Sequence, residues 1–339
     1  MSSGSAMSLL CMGDALVDMM SSQPDRSLDE SEVFVRCAGG SALNTTVGAA
    51  RLGVPASFCS AVGDDPFGRF LGRFLADEGV DASPLIVSSG ANTGVAFASS
   101  PEGRPEFCIL RGAATPAAQL RDEDVPKTAL RDARLFHLCS LLVYRYAPSS
   151  FVRSCLDEAH RNGVLVSFDP NVRPHAITDP VSARDRIAEC AGRAHIVKLS
   201  HEDAQWLHPE DDPEDVVRRY VGDGAILSIL TRGSEGSLFA MRQSSGVVVE
   251  YVKARSVTVR DTVGAGDAYM AGLLAALIHR GVDGPRSLAS LNPSDIRVAC
   301  HLASCAATAA CSAIGALAGL DGDFIRAWVH EMAGWTAAC

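Results

Sequence analysis

Short apolar runs of strand length alternate with longer segments of helical period along most of the chain. Six of these runs have the length and apolar character of buried strands, and they span residues 9–12, 57–62, 135–138, 164–168, 196–199 and 226–230. Four segments between them predict helices at residues 42–51, 66–78, 149–161 and 214–221. This alternation is typical of an α/β fold, in which helices cover a mostly parallel sheet.

The alternation breaks in two places. Late in the chain, strand-like runs at 237–240 and 247–252 follow each other across a polar turn, which predicts a hairpin at the sheet edge, and β-type sequence continues to residue 259. Early in the chain, segments 18–37 and 92–112 predict a small antiparallel β lid inserted in the main domain. An edge hairpin without a lid function is the alternative. No linker or repeat divides residues 1–339, so we expect a single domain.

The composition and net charge argue against several classes of function. The net charge of −10 and the isoelectric point near 5.4 argue against a nucleic-acid or anionic-membrane surface, because both need a basic patch. No apolar run reaches membrane-spanning length, since Asp14 and Asp18 interrupt the first one. The chain has three lysines, so we expect the positive side chains of an active site to be mostly arginines.

The eleven cysteines are scattered through apolar contexts, with no C-x-x-C pair and no histidine at metal spacing beside them. They predict reduced core thiols and a cytoplasmic protein, without a structural metal.

The sequence Asp261-Thr262-Val263-Gly264-Ala265-Gly266-Asp267 precedes a long apolar helix predicted at 268–278. Its small residues permit a tight turn, and the unpaired N–H groups that open the helix favour an anion such as a phosphoryl group. Asp267 falls in the first turn, where it can accept a proton from a hydroxyl beside that anion. The alternative is an aspartate that only caps the helix.

A second candidate site lies near the N-terminus. Asp14 and Asp18 follow the first strand, and the pair Gly39-Gly40 opens the first long helix just before Asn44. Two carboxylates and an amide beside exposed backbone suit a ligand with many hydroxyls. Structurally, Asp14 can simply end a strand and Asn44 can be a packing contact.

Together these regions resemble the two signatures of the ribokinase-like sugar kinases, the pfkB family. Gly39-Gly40 with Asn44 and Ala49-Ala50-Arg51-Leu52-Gly53 is similar to the first signature, and residues 261–267 are similar to the second. The central Asp169-Pro170-Asn171-Val172-Arg173 is similar to fructokinases and 2-keto-3-deoxygluconate kinases. The resemblance implies a three-layer α/β/α fold, ATP and Mg²⁺ as cofactors, and transfer of the γ-phosphate to a hydroxyl of a small sugar.

The resemblance also implies roles for individual residues. The catalytic residues would be the general base Asp267 and the anion-binding Gly264, Ala265 and Gly266. The sugar would be bound by Asp14, Asp18, Gly39, Gly40, Asn44, Arg111 and Arg173, with Phe97 on the inner face of the lid. The nucleotide side would comprise Ser200, Asp203, Thr231, Gly233, Gly236, Ser312 and Gly315. Asp203 would hold Mg²⁺ through water, and Asp261 would contribute to a K⁺ site.

The sequence does not identify which molecule accepts the phosphoryl group. The central motif favours a ketohexose, and a 2-keto-3-deoxy sugar acid comes second because Arg173 can meet a carboxylate. Ribose and nucleosides are further alternatives. The chain departs from fructokinases after Arg111, where Gly112-Ala113-Ala114-Thr115 replaces an Ala-Asp pair, and it has Ser312 where relatives often have threonine.

Other classes fit less well. A dinucleotide fingerprint would need glycine where Tyr269 stands, and a P-loop would need a Gly-Lys pair, which the chain lacks. A non-catalytic regulator on the same fold is the remaining alternative, although Asp267 is retained. We also expect a homodimer through the apolar outer faces of the lids.

Overall fold

The computed structural model describes residues 8–23, 25–99, 101, 106–110, 115–244 and 246–337. Thirteen strands lie in these residues: β1 (Leu9–Met12), β2 (Leu16–Ser21), β3 (Phe34–Gly39), β4 (Ala56–Gly63), β5 (Leu85–Ser88), β6 (Gly94–Ser99), β7 (Glu106–Leu110), β8 (Leu135–Cys139), β9 (Leu165–Asp169), β10 (Ile196–Ser200), β11 (Leu227–Thr231), β12 (Ser237–Gln243) and β13 (Gly246–Val252). The α-helices described are α1 (Ser41–Arg51), α2 (Pro66–Asp77), α3 (Lys127–Asp132), α4 (Ser149–Arg161), α5 (Pro180–Ala191), α6 (His201–Leu207), α7 (Pro213–Gly222), α8 (Ala265–His279), α9 (Pro285–Ala289), α10 (Pro293–Cys311) and α11 (Gly322–Ala337).

A nine-stranded sheet forms the centre of the molecule, in the order β13-β12-β11-β10-β9-β8-β1-β4-β5. All neighbours from β11 to β5 are parallel, and β12 and β13 add an antiparallel hairpin at one edge. The predicted strands, the α/β class and the edge hairpin are therefore confirmed. Parallel strands place their carboxyl ends at one edge of a sheet, and a ligand site is expected along that edge.

Two helical layers cover the sheet. Helices α1, α2 and α8 to α11 pack on one face, and α3 to α7 pack on the other. Each face of the sheet is buried in its own hydrophobic cluster, because alternate side chains of every strand point to opposite faces. Helix α8 is apolar nearly all round and lies buried between α1 and α10. The predicted three-layer α/β/α architecture is confirmed.

One strand boundary differs from expectation. The β-type sequence at 247–259 forms a strand only as far as Val252, where β13 pairs with the first residue of β12, Ser237. Beyond that point β12 offers no further ladder positions, so residues 253–259 have no strand to pair with despite their sequence.

A second, four-stranded sheet in the order β3-β2-β6-β7 corresponds to the predicted lid, and we use that name for it. It starts at Leu16, slightly before the predicted segment 18–37, and β3 extends to Gly39, two residues beyond that segment, whereas β6 and β7 fall within the predicted segment 92–112. The prediction that it is antiparallel is wrong at its centre, because β2 and β6 run parallel. Both strands leave the carboxyl edge of the main sheet, after β1 and β5 respectively, and therefore extend in the same direction.

Candidate active site

The turn before α8 has the geometry predicted for anion binding. Gly264 is left-handed with φ of 77°, and a Cβ there would lie 2.4 Å from the Cβ of Ala316. Only glycine satisfies both the backbone angle and the close contact. The helix begins at Ala265, whose N–H donates to the Thr262 carbonyl at 3.2 Å within the turn. The next N–H groups of the first turn lie at the positive end of the helix dipole, where they can meet an anion.

Asp267 lies in the first turn of α8 and is only 7% exposed. Its Oδ1 accepts a hydrogen bond of 2.5 Å from Ser41 Oγ, and its Oδ2 accepts one of 2.8 Å from Asn44 Nδ2. The Thr45 hydroxyl donates to the Asp267 carbonyl at 3.4 Å. The first turns of α1 and α8 therefore meet at this carboxylate and fix its direction.

The predicted residue Asn44 is thus a direct partner of the predicted base. Its remaining Oδ1 is buried and has no hydrogen-bond partner among the described residues, which leaves an acceptor available to a ligand hydroxyl. Ser41 was not predicted as a site residue. Its place between the Gly39-Gly40 pair and Asn44 at the helix start was the signal that could have identified it.

Three carboxyl groups and one ammonium form what we call the charged floor, which consists of Asp169, Lys198, Asp203 and Asp267. Lys198 is 2% exposed, and its Nζ donates to Asp169 Oδ2 at 2.8 Å. A Cβ on Gly266 would lie 3.4 Å from the same Nζ, so the ammonium sits directly under the anion turn.

The electrostatics of Lys198 reflect this crowding. Burial disfavours its charged form, but the neighbouring carboxyl groups, of which Asp169 acts most strongly, outweigh that cost and raise the pKa of Lys198. The expectation that arginines supply the positive charge is wrong at this position. A lysine inside the apolar run 196–199 was the missed signal, because a buried charge requires a partner.

Asp203 combines a structural role with a place in the charged floor. Ser200 caps α6, its backbone N–H donates to Asp203 Oδ2 at 2.8 Å, and Val172 N–H donates to Oδ1 at 2.6 Å. Burial, followed by the nearby Asp169, raises the pKa of Asp203. Ser200 and Asp203 therefore form a capping box, which was the structural alternative to a role in magnesium binding.

In the region predicted to bind sugar, Asp14 is 5% exposed and its Oδ2 accepts hydrogen bonds from Ser140 Oγ at 2.6 Å and Leu142 N–H at 3.1 Å. Gly40 has φ of 119°, and a Cβ there would lie 2.1 Å from the Asp14 carbonyl oxygen. A Cβ on Gly39 would overlap the carboxylate of Asp18 at 2.1 Å. The glycine pair therefore brings both predicted aspartates against the start of α1.

A concave pocket opens beside Asp14 and extends to the base of the lid. Its lining includes Asn92, Gly94 and Thr115, together with Ser60 from β4. Asn92 and Thr115 are polar, so the pocket offers further hydrogen-bonding groups that the sequence did not indicate.

Arg173 is exposed, and its backbone N–H donates to the buried hydroxyl of Tyr144 at 3.2 Å. Tyr144 lies in a short π-helical segment, Leu142–Tyr146, which begins at the residue that holds Asp14. The segment ties the Arg173 loop to the sugar side of the site. The sequence did not predict this role for Tyr144.

The lid register corrects one predicted residue. Asp18 pairs with Ala96, so both face the same side of the lid, and Gly94, which has the same phase, lines the pocket. Phe97 is one residue out of phase and faces the opposite side, where its ring meets Phe34 edge-on at 5.1 Å. The prediction that Phe97 covers the sugar is therefore wrong. Arg111 lies outside the described residues.

The predicted nucleotide residues lie at the ends of neighbouring elements. Thr231 ends β11, and Gly233 and Gly236 form the tight turn that follows it. Asp261 accepts from Val263 N–H at 3.0 Å and from Gly315 N–H at 2.9 Å, so it joins the anion turn to the loop of Ser312 and Gly315. Both of its oxygens are hydrogen bonded, and a K⁺ ion there would have to share them.

The model of the pfkB family carbohydrate kinases matches residues 6–321. A fructokinase of Klebsiella pneumoniae is 34% identical over 302 residues, covering 88% of this chain and 92% of that protein. A fructokinase of Rhizobium leguminosarum bv. trifolii is 31% identical over 289 residues, covering 85% of each.

Solved structures agree with this relationship. Xylella fastidiosa fructokinase with bound ATP superposes with a TM-score of 0.84 at 26% identity, covering 97% of this chain and 99% of that one. A Vibrio cholerae fructokinase bound to fructose, ADP and calcium gives 0.79 at 27% identity, covering 95% and 99%. A putative ribokinase of E. coli gives 0.80 at 23% identity, covering 95% and 99%, which supports the ribokinase-like fold. Among the described helices, none is long and apolar enough to cross a membrane.

Proposed function

Because the chain belongs to the pfkB family of carbohydrate kinases, we propose that it is an ATP-dependent kinase that phosphorylates a ketohexose such as fructose. The observation that carries this proposal is the buried Asp267 at the start of α8, hydrogen bonded to Ser41 and Asn44 and placed above Lys198. This arrangement puts a proton acceptor, an anion turn and a fixed positive charge at one point.

Proton transfer falls to Asp267. A sugar hydroxyl held by Asp14, Asp18 and the free Oδ1 of Asn44 approaches the carboxylate, which takes the proton as the oxygen attacks the γ-phosphate of ATP. The hydrogen bond from Ser41 holds the carboxylate in place, so that little reorganisation accompanies the transfer.

We assign charge stabilisation to the glycine turn before α8 and to the charged floor. The N–H groups at the start of α8 face the transferring phosphoryl group, and Lys198 adds a positive charge from below. Its fixed ion pair with Asp169 keeps the ammonium in one position.

The floor also fits a magnesium ion. Its three carboxyl groups outnumber the single ammonium, and carboxylate oxygens are ligands that Mg²⁺ prefers. Ser200 and Asp203 would hold the ion through water, since both oxygens of Asp203 already accept backbone N–H groups. When bound, Mg²⁺ neutralises the phosphates of ATP. Asp261 would contribute to a K⁺ site behind the turn.

The choice of a ketohexose rests on the fructokinase relatives and on the fructose bound in the Vibrio cholerae enzyme. A 2-keto-3-deoxy sugar acid is the second candidate. The exposed guanidinium of Arg173, whose backbone is anchored beside the sugar pocket by Tyr144, is suited to a carboxylate.

We further propose that residues 1–339 act as one cytoplasmic kinase unit whose lid closes over the sugar and that two chains associate through their lids. Leu110 is 57% exposed on the face of β7 that points away from Asp18, which supports an apolar contact there. Closure would keep water away from Asp267 and so suppress hydrolysis of ATP.

An ATP-coupled screen tests the substrate. Fructose, glucose, ribose, 2-keto-3-deoxygluconate and a set of nucleosides are compared at limiting concentration. We expect the highest kcat/KM for fructose. A higher value for the keto-deoxy acid, lost in Arg173→Ala, supports the second candidate, and no turnover of any acceptor with intact ATP binding supports a non-catalytic protein.

A further inference from the structure

A cluster of three potential metal ligands lies where α10 meets α11, at the edge of the buried core. His301 and Cys305 stand one turn apart on α10, and Glu331 reaches them from α11. The expectation that no histidine stands at metal spacing from a cysteine is therefore wrong, because residues four apart share a helix face. The cluster plays no part in the kinase site described above.

The distances within the cluster suit a single small ion. His301 Nε2 lies 3.0 Å from Glu331 Oε1 and 3.8 Å from Cys305 Sγ, and all three ligand atoms lie within 4.8 Å of one another. With metal bonds of about 2.0–2.3 Å and tetrahedral angles, ligand atoms around zinc are separated by roughly 3.3–3.6 Å. The two separations that involve His301 are close to these values, and the separation between Cys305 Sγ and the Glu331 carboxylate is at most 4.8 Å, so the three atoms can move together onto one ion.

The solvent exposure of the three ligands also fits a metal site. Cys305 is 5% exposed, whereas the side chains of His301 and Glu331 are 38% and 41% exposed. The thiol forms the base of the cluster, and the imidazole and carboxylate form its open rim, so an ion can enter from solvent and keep a water as its fourth ligand. Arg255 lies 3.8 Å from Glu331 and can remain as an outer partner of that carboxylate.

We propose that His301, Cys305 and Glu331 form a site for a thiophilic divalent transition metal, with Zn²⁺ as the best fit. A set of one thiolate, one imidazole and one carboxylate selects zinc over Mg²⁺ and Ca²⁺, which prefer oxygen ligands only. Binding deprotonates the Cys305 thiol and releases one proton to solvent. Because the ligands come from two helices, the ion fastens α11 to α10.

Burial raises the pKa of the Cys305 thiol to about 11, although nearby Arg255 opposes the shift.

The test uses Co²⁺ on the full-length protein, freed of metal by a chelator and without nucleotide or Mg²⁺. We expect a thiolate-to-cobalt charge-transfer band with a stoichiometry of one per chain, and its loss on adding one equivalent of Zn²⁺. Cys305→Ser should abolish the band and weaken zinc binding by at least about 100-fold, because even loss of an outer partner costs 10–100-fold.

Matched controls separate this site from other ligands. Cys311→Ser on α10 and His330→Gln on α11 should leave the band unchanged, whereas His301→Gln should shift it and weaken binding. Circular dichroism checks that each variant is folded. Absence of the band in the wild type, or a band of equal strength in Cys305→Ser, would overturn the proposal, and neither outcome bears on sugar phosphorylation.

Discussion

The charged floor and the lid are built in opposite ways. On the floor, Asp267 and Lys198 are 7% and 2% exposed, and each has a fixed partner on a buried element. In the lid, Val35 and Leu110 are 54% and 57% exposed. Groups that act on charge need fixed positions and low solvent access, whereas a cover has to open and close. The proposed chemistry thus lies on buried elements with fixed partners, and the proposed lid closure would involve more exposed ones.

The largest effect should come from Asp267→Asn. An amide can still accept from Asn44 but cannot take a proton, so we expect kcat to fall about 10²–10⁴-fold with binding of ATP and sugar nearly intact. Steady-state kinetics and calorimetric binding measure the two quantities. Asp295→Asn is a matched control, since Asp295 is also a buried aspartate in the first turn of a helix. A kcat above about a tenth of wild type would exclude Asp267 as the base.

We expect the second-largest effect from Lys198→Met. It removes the positive charge under Gly266, and we expect kcat to fall about 10²-fold, as when one stabilising donor to the reacting anion is lost. It also leaves Asp169 buried without its ion-pair partner, which should lower the free energy of unfolding by about 3–5 kcal/mol.

Chemical denaturation and kinetics below the unfolding transition separate the two effects of Lys198→Met. Lys127→Met, at an exposed lysine that begins α3, should change neither quantity. A stable Lys198→Met variant with normal kcat would show that Lys198 is an ordinary core residue without a role in catalysis.

The lid should respond more weakly. Sugar binding should slow hydrogen exchange in β2, β3, β6 and β7 together, and Leu110→Glu should convert the proposed dimer to a monomer in sedimentation velocity. Val181→Glu places the same charge at an exposed valine on α5 and should leave the assembly unchanged. A wild-type monomer at micromolar concentration would remove the dimer, and unchanged exchange at saturating substrate would remove the closure.

The smallest expected effect concerns one thiol of the lid. Cys37 pairs with Asp18 and is half-buried, so bound sugar should slow its alkylation several-fold. Burial and the adjacent Asp18 raise the pKa of Cys37, so labelling is best measured at alkaline pH. Cys108 is exposed on the opposite face of the lid and serves as the internal control in peptide mapping. Equal protection of both thiols would indicate general tightening of the lid instead of contact with the pocket.

Much of the fold could be predicted because it depends on local patterns. The parallel strands, the early helices and the edge hairpin follow from apolar runs and turns in the sequence. The parallel pairing of β2 with β6 could not be predicted, since pairing between distant strands depends on where the chain leaves the main sheet. Strand β5 lies at the sheet edge and is only partly buried, so it lacks the apolar signal that identified the equally short β1.

Part of the candidate site could likewise be predicted from the sequence. Residues within the two signatures, such as Asp14, Asn44 and Asp267, meet as expected around α1 and α8. Lys198 was missed because its importance depends on a neighbour from another strand, and Phe97 was misplaced because a shift of one residue reverses the face of a strand.

The position of β1 has a consequence for how the protein is made. This strand is near the N-terminus, yet it lies between β4 and β8, and its pairing is complete only after residue 139 has been synthesised. Likewise, β2 can pair with β6 only after β6 (Gly94–Ser99) has been synthesised. Pairings so distant in sequence form slowly, and exposed apolar strands are prone to aggregate in the meantime. Nascent chains that stop before β8 can pair β1 with β4 but leave the other edge of this apolar strand, Leu9–Met12, exposed, and they are natural targets for chaperones.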